Sequence, residues 1–178
     1  MEPDWSRERP RRYWDPSRRL LRTIRRYQSA ASRGNWLGRK YWALQHRFWS
    51  IVTQAEIDLQ CDIGGGLLLP HPNGVVIHPD TKVGANCLIM QQVTLGTNGA
   101  DGPPVVGDGV DIGPGAKILG PVTVGSGALI GACSLVLGDV PAGKVAFGIP
   151  ARVRRARGEG PARALDQKVS RDSSGGER

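Results

Sequence analysis

From Val106 to Val136 one aliphatic residue returns every six positions, as Val106, Ile112, Ile118, Val124, Ile130 and Val136. Two positions before each of the last five stands Val110, Ala116, Val122, Ala128 or Ser134. Glycine directly follows four of the six, at Gly107, Gly113, Gly125 and Gly131, and comes one step later at Gly120. A period of six fits neither an amphipathic helix, which wants 3.6, nor alternating strands with irregular turns. It fits a parallel β-helix, in which each six-residue unit forms one flat side of a coil and its aliphatic points inward onto the coils above and below.

The same ladder runs backward through Ile77, Val83, Ile89 and Leu95, and again through Ile57, Ile63 and Leu69. Phase is lost twice. Leu69 to Ile77 is eight residues and Leu95 to Val106 is eleven, so chain must bulge out at both places. A solenoid tolerates insertions only where they leave the stacked core, and such insertions commonly build the working face. The first bulge contains His71; the second is the glycine-rich segment Thr97 to Pro104.

The chain of 178 residues is long enough to bury a core without disulfides or a metal. Its three cysteines show no Cys-x-x-Cys spacing, and Cys61 and Cys87 fall two positions before Ile63 and Ile89, the place of a small buried hydrophobe rather than of a reactive thiol. No apolar run reaches the length of a membrane span or a signal-peptide core, which points to a cytoplasmic protein. The net charge of +8 is divided unevenly: residues 1 to 50 carry thirteen Lys and Arg against four acids, residues 51 to 150 three against eight. The repeat region is therefore acidic, and with no nucleic-acid module at either end a nucleic-acid partner is not expected.

Residues 1 to 14, rich in Arg and Pro, read as loose, and Asp15 with Pro16 opens a helix as N-cap and first-turn proline. Leu20, Leu21, Ile24 and Tyr27 mark its apolar face among arginines. Gly34 and Asn35 break it and cap a second helix, in which Leu37, Tyr41, Leu44, Phe48 and Ile51 recur at steps of four and three. Such a stripe is read as packing, against the base of the coil or a neighbouring subunit, rather than as a membrane-surface helix. His46 reads as a partly solvated residue of this helix. The domain plan is thus an N-terminal helical segment over 1–54, a β-helix over 55–153 and a disordered basic tail over 154–178.

Within the β-helix, LLLPHPNGVVIHP at 67–79, QQVTLG at 91–96, GAKILG at 115–120 and PAGKVAFGIPAR at 141–152 resemble the serine acetyltransferases and their short-chain relatives, a family of acetyl-CoA-dependent hexapeptide acyltransferases. The resemblance implies a left-handed parallel β-helix that forms a homotrimer, with acetyl-CoA in the cleft between neighbouring subunits. It also implies cysteine biosynthesis and a sulfhydrylase partner of the kind such enzymes often bind. The coiling hand comes from the family alone, since the usual crossover preference points the other way.

The family's catalytic His lies in the coil bulge and is oriented by a carboxylate fifteen residues earlier, which maps here onto His71 and Glu56. An alcohol is a poor nucleophile at neutral pH; a neutral imidazole must take its proton, and a carboxylate on the far ring nitrogen fixes the tautomer. Asp58, two residues along and on the same strand face as Glu56, competes for the orienting role. His78, followed by Pro79, reads as a residue closing a coil corner, and with His46 outside the coil a three-histidine zinc site is not expected. The family's oxyanion and pantetheine contacts fall on the backbone at Gly96 and Thr97, and Lys117, Lys144 and Arg152 are placed to meet the coenzyme's phosphates.

Two departures concern the acceptor. The segment GTNGADGPPVV holds neither the Arg nor the His that in the family reaches the substrate's carboxylate, and Pro70 replaces an Asp commonly found before the catalytic His. L-serine stays the first acceptor, with a sugar or secondary metabolite bearing a hydroxyl as the alternative. A non-catalytic β-helix scaffold is the reading outside enzymology, and the ladder break at His71 argues against it.

Overall fold

The computed structural model describes residues 1–99 and 102–155. The expected tail lies almost wholly outside them. Two helices, α1 (Pro16–Ser32) and α2 (Trp36–Thr53), precede a three-sided parallel solenoid. The first face stacks Ile57, Ile77, Leu95, Ile118 and Val136 in register. The second stacks Ile63, Val83, Val106 and Val124, and the third Ile89, Ile112, Ile130 and Ala146. Each of these side chains is buried, as are Cys61, Cys87, Val110, Ala116, Val122, Ala128 and Ser134. Six-residue spacing therefore translates directly into a column of stacked apolar contacts. Burial pushes the Cys61 and Cys87 thiols up to about 11, away from nucleophilic use.

Because each inward aliphatic is locked between coils, Ile118→Ala, at a fully buried site, is expected to cost about 2 to 5 kcal/mol by denaturant unfolding. Val105→Ala, on the outer surface of the second face and 45% exposed, is expected to stay within about 0.5 kcal/mol of the parent. Glycine after the aliphatic has a separate cause: a Cβ built on Gly84 would stand 2.5 Å from the backbone of the next coil.

Two of the three corners are interlocked. Where the third face turns into the first, Gly74, Gln92, Gly115 and Cys133 adopt left-handed backbone, and their N–H groups donate to Gln54, Asn73, Gln91 and Pro114 of the coil before. Where the second face turns into the third, Asn86, Gly109, Gly127 and Gly143 do the same toward Gly65, Ala85, Asp108 and Ser126. The corner leaving the first face is closed locally instead: Asp58 Oδ1 accepts from Gln60 N at 2.7 Å, and His78 Nδ1 accepts from Asp80 N at 3.2 Å.

The first coil has no coil beneath it, and α1 takes that place. Leu20, Leu21 and Ile24 join the solenoid core. Arg25 donates to the carbonyls of Ile63 and Gly64, and Gln28 to those of Leu59 and Cys61, so open-edge acceptors find partners. Asp15 holds the N-cap position, but its carboxylate is turned to Arg11 N and the Arg18 guanidinium, each at 3.1 Å.

The first residues are not loose, contrary to their composition. Trp5–Glu8 forms a 3₁₀ turn capped by Asp4, and the chain runs as a strap along the second-to-third corner. Asp4 N donates to Asn86 Oδ1 at 2.7 Å, Asn86 Nδ2 to Glu2 O at 2.7 Å, and Arg7 to Asn86 O at 2.6 Å. Glu8 is buried, paired with Arg25 at 2.8 Å and accepting from Leu67 N at 3.1 Å. Specific polar pairing with a corner some eighty residues away holds what low hydrophobicity alone would leave free.

Since α1 covers the coil, the outer stripe of α2 touches none of it. Trp49 and Thr53 face inward and are buried, whereas Leu37, Tyr41, Leu44, Phe48 and Ile51 stand 50 to 70% exposed.

Candidate active site

The bulge Pro70–Gly74 leaves the third face after Leu69 and enters the first at Val75 and Val76. It lengthens that coil from eighteen residues, as between Ile77 and Leu95, to twenty between Ile57 and Ile77. His71 projects from it into solvent, while the bulge backbone is fixed on both sides. Gly74 N donates to Gln54 O at 2.9 Å, Asn73 Nδ2 donates to Gln54 Oε1, and Gln92 N donates to Asn73 O at 2.9 Å. Gln54 is itself the C-cap of α2 in left-handed conformation, φ 54°. Asn73-Gly74 was readable as a turn, but nothing in the sequence singles out Gln54 or Gln92 as anchors.

Glu56 opens the first face directly beneath the strand that follows the bulge: its N–H donates to Val75 O at 2.8 Å, and it registers with Val76. Its carboxylate is exposed and makes no hydrogen bond among the described residues. Asp58 is exposed too, but one of its oxygens is engaged in the corner bond to Gln60 N. Among the described residues no hydrogen bond joins His71 to either acid. His78 closes its corner as expected.

His46 is, as read from the sequence, a partly solvated residue of α2. It lies half-buried by the first coil, its Nε2 buried without a hydrogen-bond partner. Burial lowers its pKa, against the opposing pull of the Ile57 carbonyl and the Asp58 carboxylate.

The outer surface of the first face carries Glu56, Val76, Thr94 and Lys117 in one column. At about 4.8 Å per rung the backbones of Glu56 and Lys117 are roughly 14 Å apart. Lys117 Nζ is held by Gln92 O at 2.7 Å and Thr94 Oγ1 at 2.9 Å, which fixes a cation beside the loop base. Gly96 accepts from Gly120 N at 2.9 Å at that base, and Thr97 leads out of it. Asn98 folds back over Gly120, where a Cβ would come within 2.6 Å of its side chain and φ is +90°. Glycine is required there.

Lys144 and Arg152 are not brought to this column. They belong to the hairpin Lys144–Gly148 and Ala151–Arg155 that extends the third face, opposite Arg155 and Phe147 respectively. Next to them on that face runs an apolar groove of about 270 Å³ lined by Leu88, Met90, Gly113, Pro114, Gly131 and Ala132 among others. The five candidate coenzyme residues are thus divided between two faces of one protomer. Among the described residues no three His, Cys, Asp or Glu side chains gather to hold a metal ion, and no helix is long and apolar enough to cross a membrane.

Residues 103–138 match the family model described as bacterial transferase hexapeptide (six repeats). The serine acetyltransferase of Escherichia coli (strain K12) is 41% identical over 128 residues, 67% of this chain and 46% of the relative. The chain is a hexapeptide-repeat protein resembling the serine acetyltransferases. Among solved structures, soybean serine acetyltransferase complexed with serine superposes with a TM-score of 0.69 at 35% identity, covering 78% of this chain and 57% of that one. Serine acetyltransferase of Brucella abortus strain S19 in complex with coenzyme A gives a TM-score of 0.71 at 32% identity, covering 82% and 58%. This hexapeptide-repeat chain spans less than half the length of the curated relatives it matches, 36% of a rice relative named probable serine acetyltransferase 5 and 46% of the bacterial one.

Proposed function

We propose that the protein is a cytoplasmic, acetyl-CoA-dependent O-acetyltransferase acting on the hydroxyl of L-serine, at the entry to cysteine biosynthesis. One observation carries the reading. The stacked ladder is broken by two residues at the corner that bears His71, and that corner is anchored below by Gln54 and above by Gln92, with Glu56 free on the rung beneath. A scaffold gains nothing from such a break. The likeness to relatives whose structures hold serine or coenzyme A supports the substrate pair.

In this mechanism neutral His71 takes the proton of the acceptor hydroxyl as its oxygen attacks the thioester carbonyl. Glu56 holds the imidazole tautomer and stabilises the imidazolium. Backbone amides around Gly96 and Thr97 meet the developing oxyanion, and His71 returns its proton to the departing thiolate. Glu56 is preferred to Asp58 because Asp58 already serves its own corner. The acetyl donor lies in a cleft between copies of a homotrimer. There the third-face groove with Lys144 and Arg152 of one copy faces the first-face loop and Lys117 of the next, which reunites the divided residues. An apolar groove next to exposed cations suits an amide-and-alkyl arm ending in phosphates.

Thiol release from acetyl-CoA, measured with L-serine, L-serine methyl ester and amino sugars, tests both reaction and acceptor. L-serine is expected to be acetylated with a raised KM, since a missing charge-assisted contact costs about 1.5 to 3 kcal/mol, or roughly one to two orders of magnitude. A basic helix of a neighbouring copy then supplies the carboxylate's partner, and the ester falls well below L-serine in kcat/KM. Equal use of ester and acid would remove free serine as the substrate. No thiol release with any acceptor would remove the enzyme reading.

A further inference from the structure

The exposed stripe of α2 is left unused by the chemistry above. Leu37, Leu44 and Ile51 are seven residues apart, and Tyr41 and Phe48 fill the intermediate positions, so the apolar line averages 3.5 residues per turn. That narrow line is the signature of a helix–helix seam, whereas a helix covered by its own domain shows a broader face. Here an inward face is present as well, away from the line, where Trp49 and Thr53 are buried. A helix apolar on two sides, one of them already covered, presents the other to a partner.

The flanks say which partner. One side of the line carries Lys40 and Arg47; the other carries Gly38, Gln45 and Val52, with no charge, and α2 contains no acid at all. When two copies of such a helix run parallel, the charged flank of one meets the uncharged flank of the other. Antiparallel, Lys40 and Arg47 meet the same cations of the second copy. The sequence of the seam therefore fits a second copy in the parallel sense. A lipid surface fits less well. Helices lying on a bilayer present cations to the headgroups beside a wide apolar face. Here Lys40 lies over the Trp36 ring at 4.8 Å and Arg39 over Tyr27 at 5.5 Å, within the same chain.

We propose that α2 forms a seam between copies of this chain, its Leu37–Ile51 line packing against the same line of neighbouring copies with the helices parallel about a rotation axis. The number of copies, three, rests on the trimeric reading above; the seam and its direction do not, and neither depends on acetyl transfer.

The test is read by mass and by cross-linking. Leu44→Glu with Phe48→Glu changes side chains that are 68% and 50% exposed in the protomer, so the circular dichroism of the fold is expected to stay. The mass by light scattering should fall from the trimer to about one third. In a Cys133→Ser background, which removes the exposed native thiol, oxidised Leu37→Cys should give covalent pairs joined at identical positions. Antiparallel helices would bring residue 37 to residue 51 instead and give none. A native mass in the folded double variant, or an intact oligomer without cross-linking at 37, overturns the proposal. So does a wild-type monomer that sediments with phosphatidylglycerol vesicles and loses that binding in the double variant, since the stripe would then be a lipid-binding face.

Discussion

His71→Ala is expected to lower kcat by about 10² to 10⁴ while leaving the fold intact. The rate loss follows from removing the one group on the bulge that can accept a hydroxyl proton. The retained fold follows from the contacts: the bulge is held by the Gly74 amide, the Asn73 side chain and the Asn73 carbonyl, and the imidazole contributes none of those bonds. Steady-state thiol release alongside thermal melting separates the two consequences. A folded His71→Ala protein with near-parental kcat would move the general base elsewhere, and a variant that melts early would show the side chain to be structural.

Glu56→Gln should follow with a loss of about 10² or more in kcat at nearly unchanged KM for acetyl-CoA, because an amide neither fixes the imidazole tautomer nor stabilises the imidazolium. Asp58→Asn is expected to change kcat by no more than a factor of a few. Its oxygen accepts one corner hydrogen bond from Gln60 N, and the Asn oxygen can accept the same bond. The opposite ranking would give the orienting role to Asp58, and its proximity to half-buried His46 would then need a catalytic account.

The ladder was legible in the sequence because its cause is local and repeated. Every sixth residue must be aliphatic to stack, so Ile57 through Val136 declare themselves, and both losses of phase mark real excursions of the chain. The segment preceding the ladder was legible only in part. The two helices follow from Asp15-Pro16 and Gly34-Asn35, but the strap over residues 1–9 depends on Asn86 and Leu67, and pairings at such separations leave no periodic trace. The corner residues divide in the same way. Glycines at left-handed positions suggest turns, whereas Gln54, Asn86, Gln92 and Cys133 take that conformation through the hydrogen bonds of the stack. At the site, Glu56 registers with Val76, on the strand that follows the bulge carrying His71. Lys117, Lys144 and Arg152 were grouped as phosphate contacts only by family likeness, and within one protomer they lie on two different faces.

The difference between the interlocked corners and the locally closed one bears on how such a protein changes over time. At two corners each turn is tied to its neighbour coil, so an added residue there must preserve a bond to the coil before it, as the bulge carrying His71 does through Gly74 and Gln92. At the corner leaving the first face the first two turns are sealed by side chains of the same coil, Asp58 and His78, and among the described residues the ties between coils there include Gly120 N to Gly96 O, Thr123 N to Asp139 Oδ1 and Cys61 Sγ to His78 O. Segment 97–104 sprouts from that corner. Its described residues lie at a different corner from the one that bears His71, with Asn98 folded over Gly120. On the proposed reading, the loop that would meet the acceptor can then change while the corner carrying the proposed base keeps its anchors at Gln54 and Gln92.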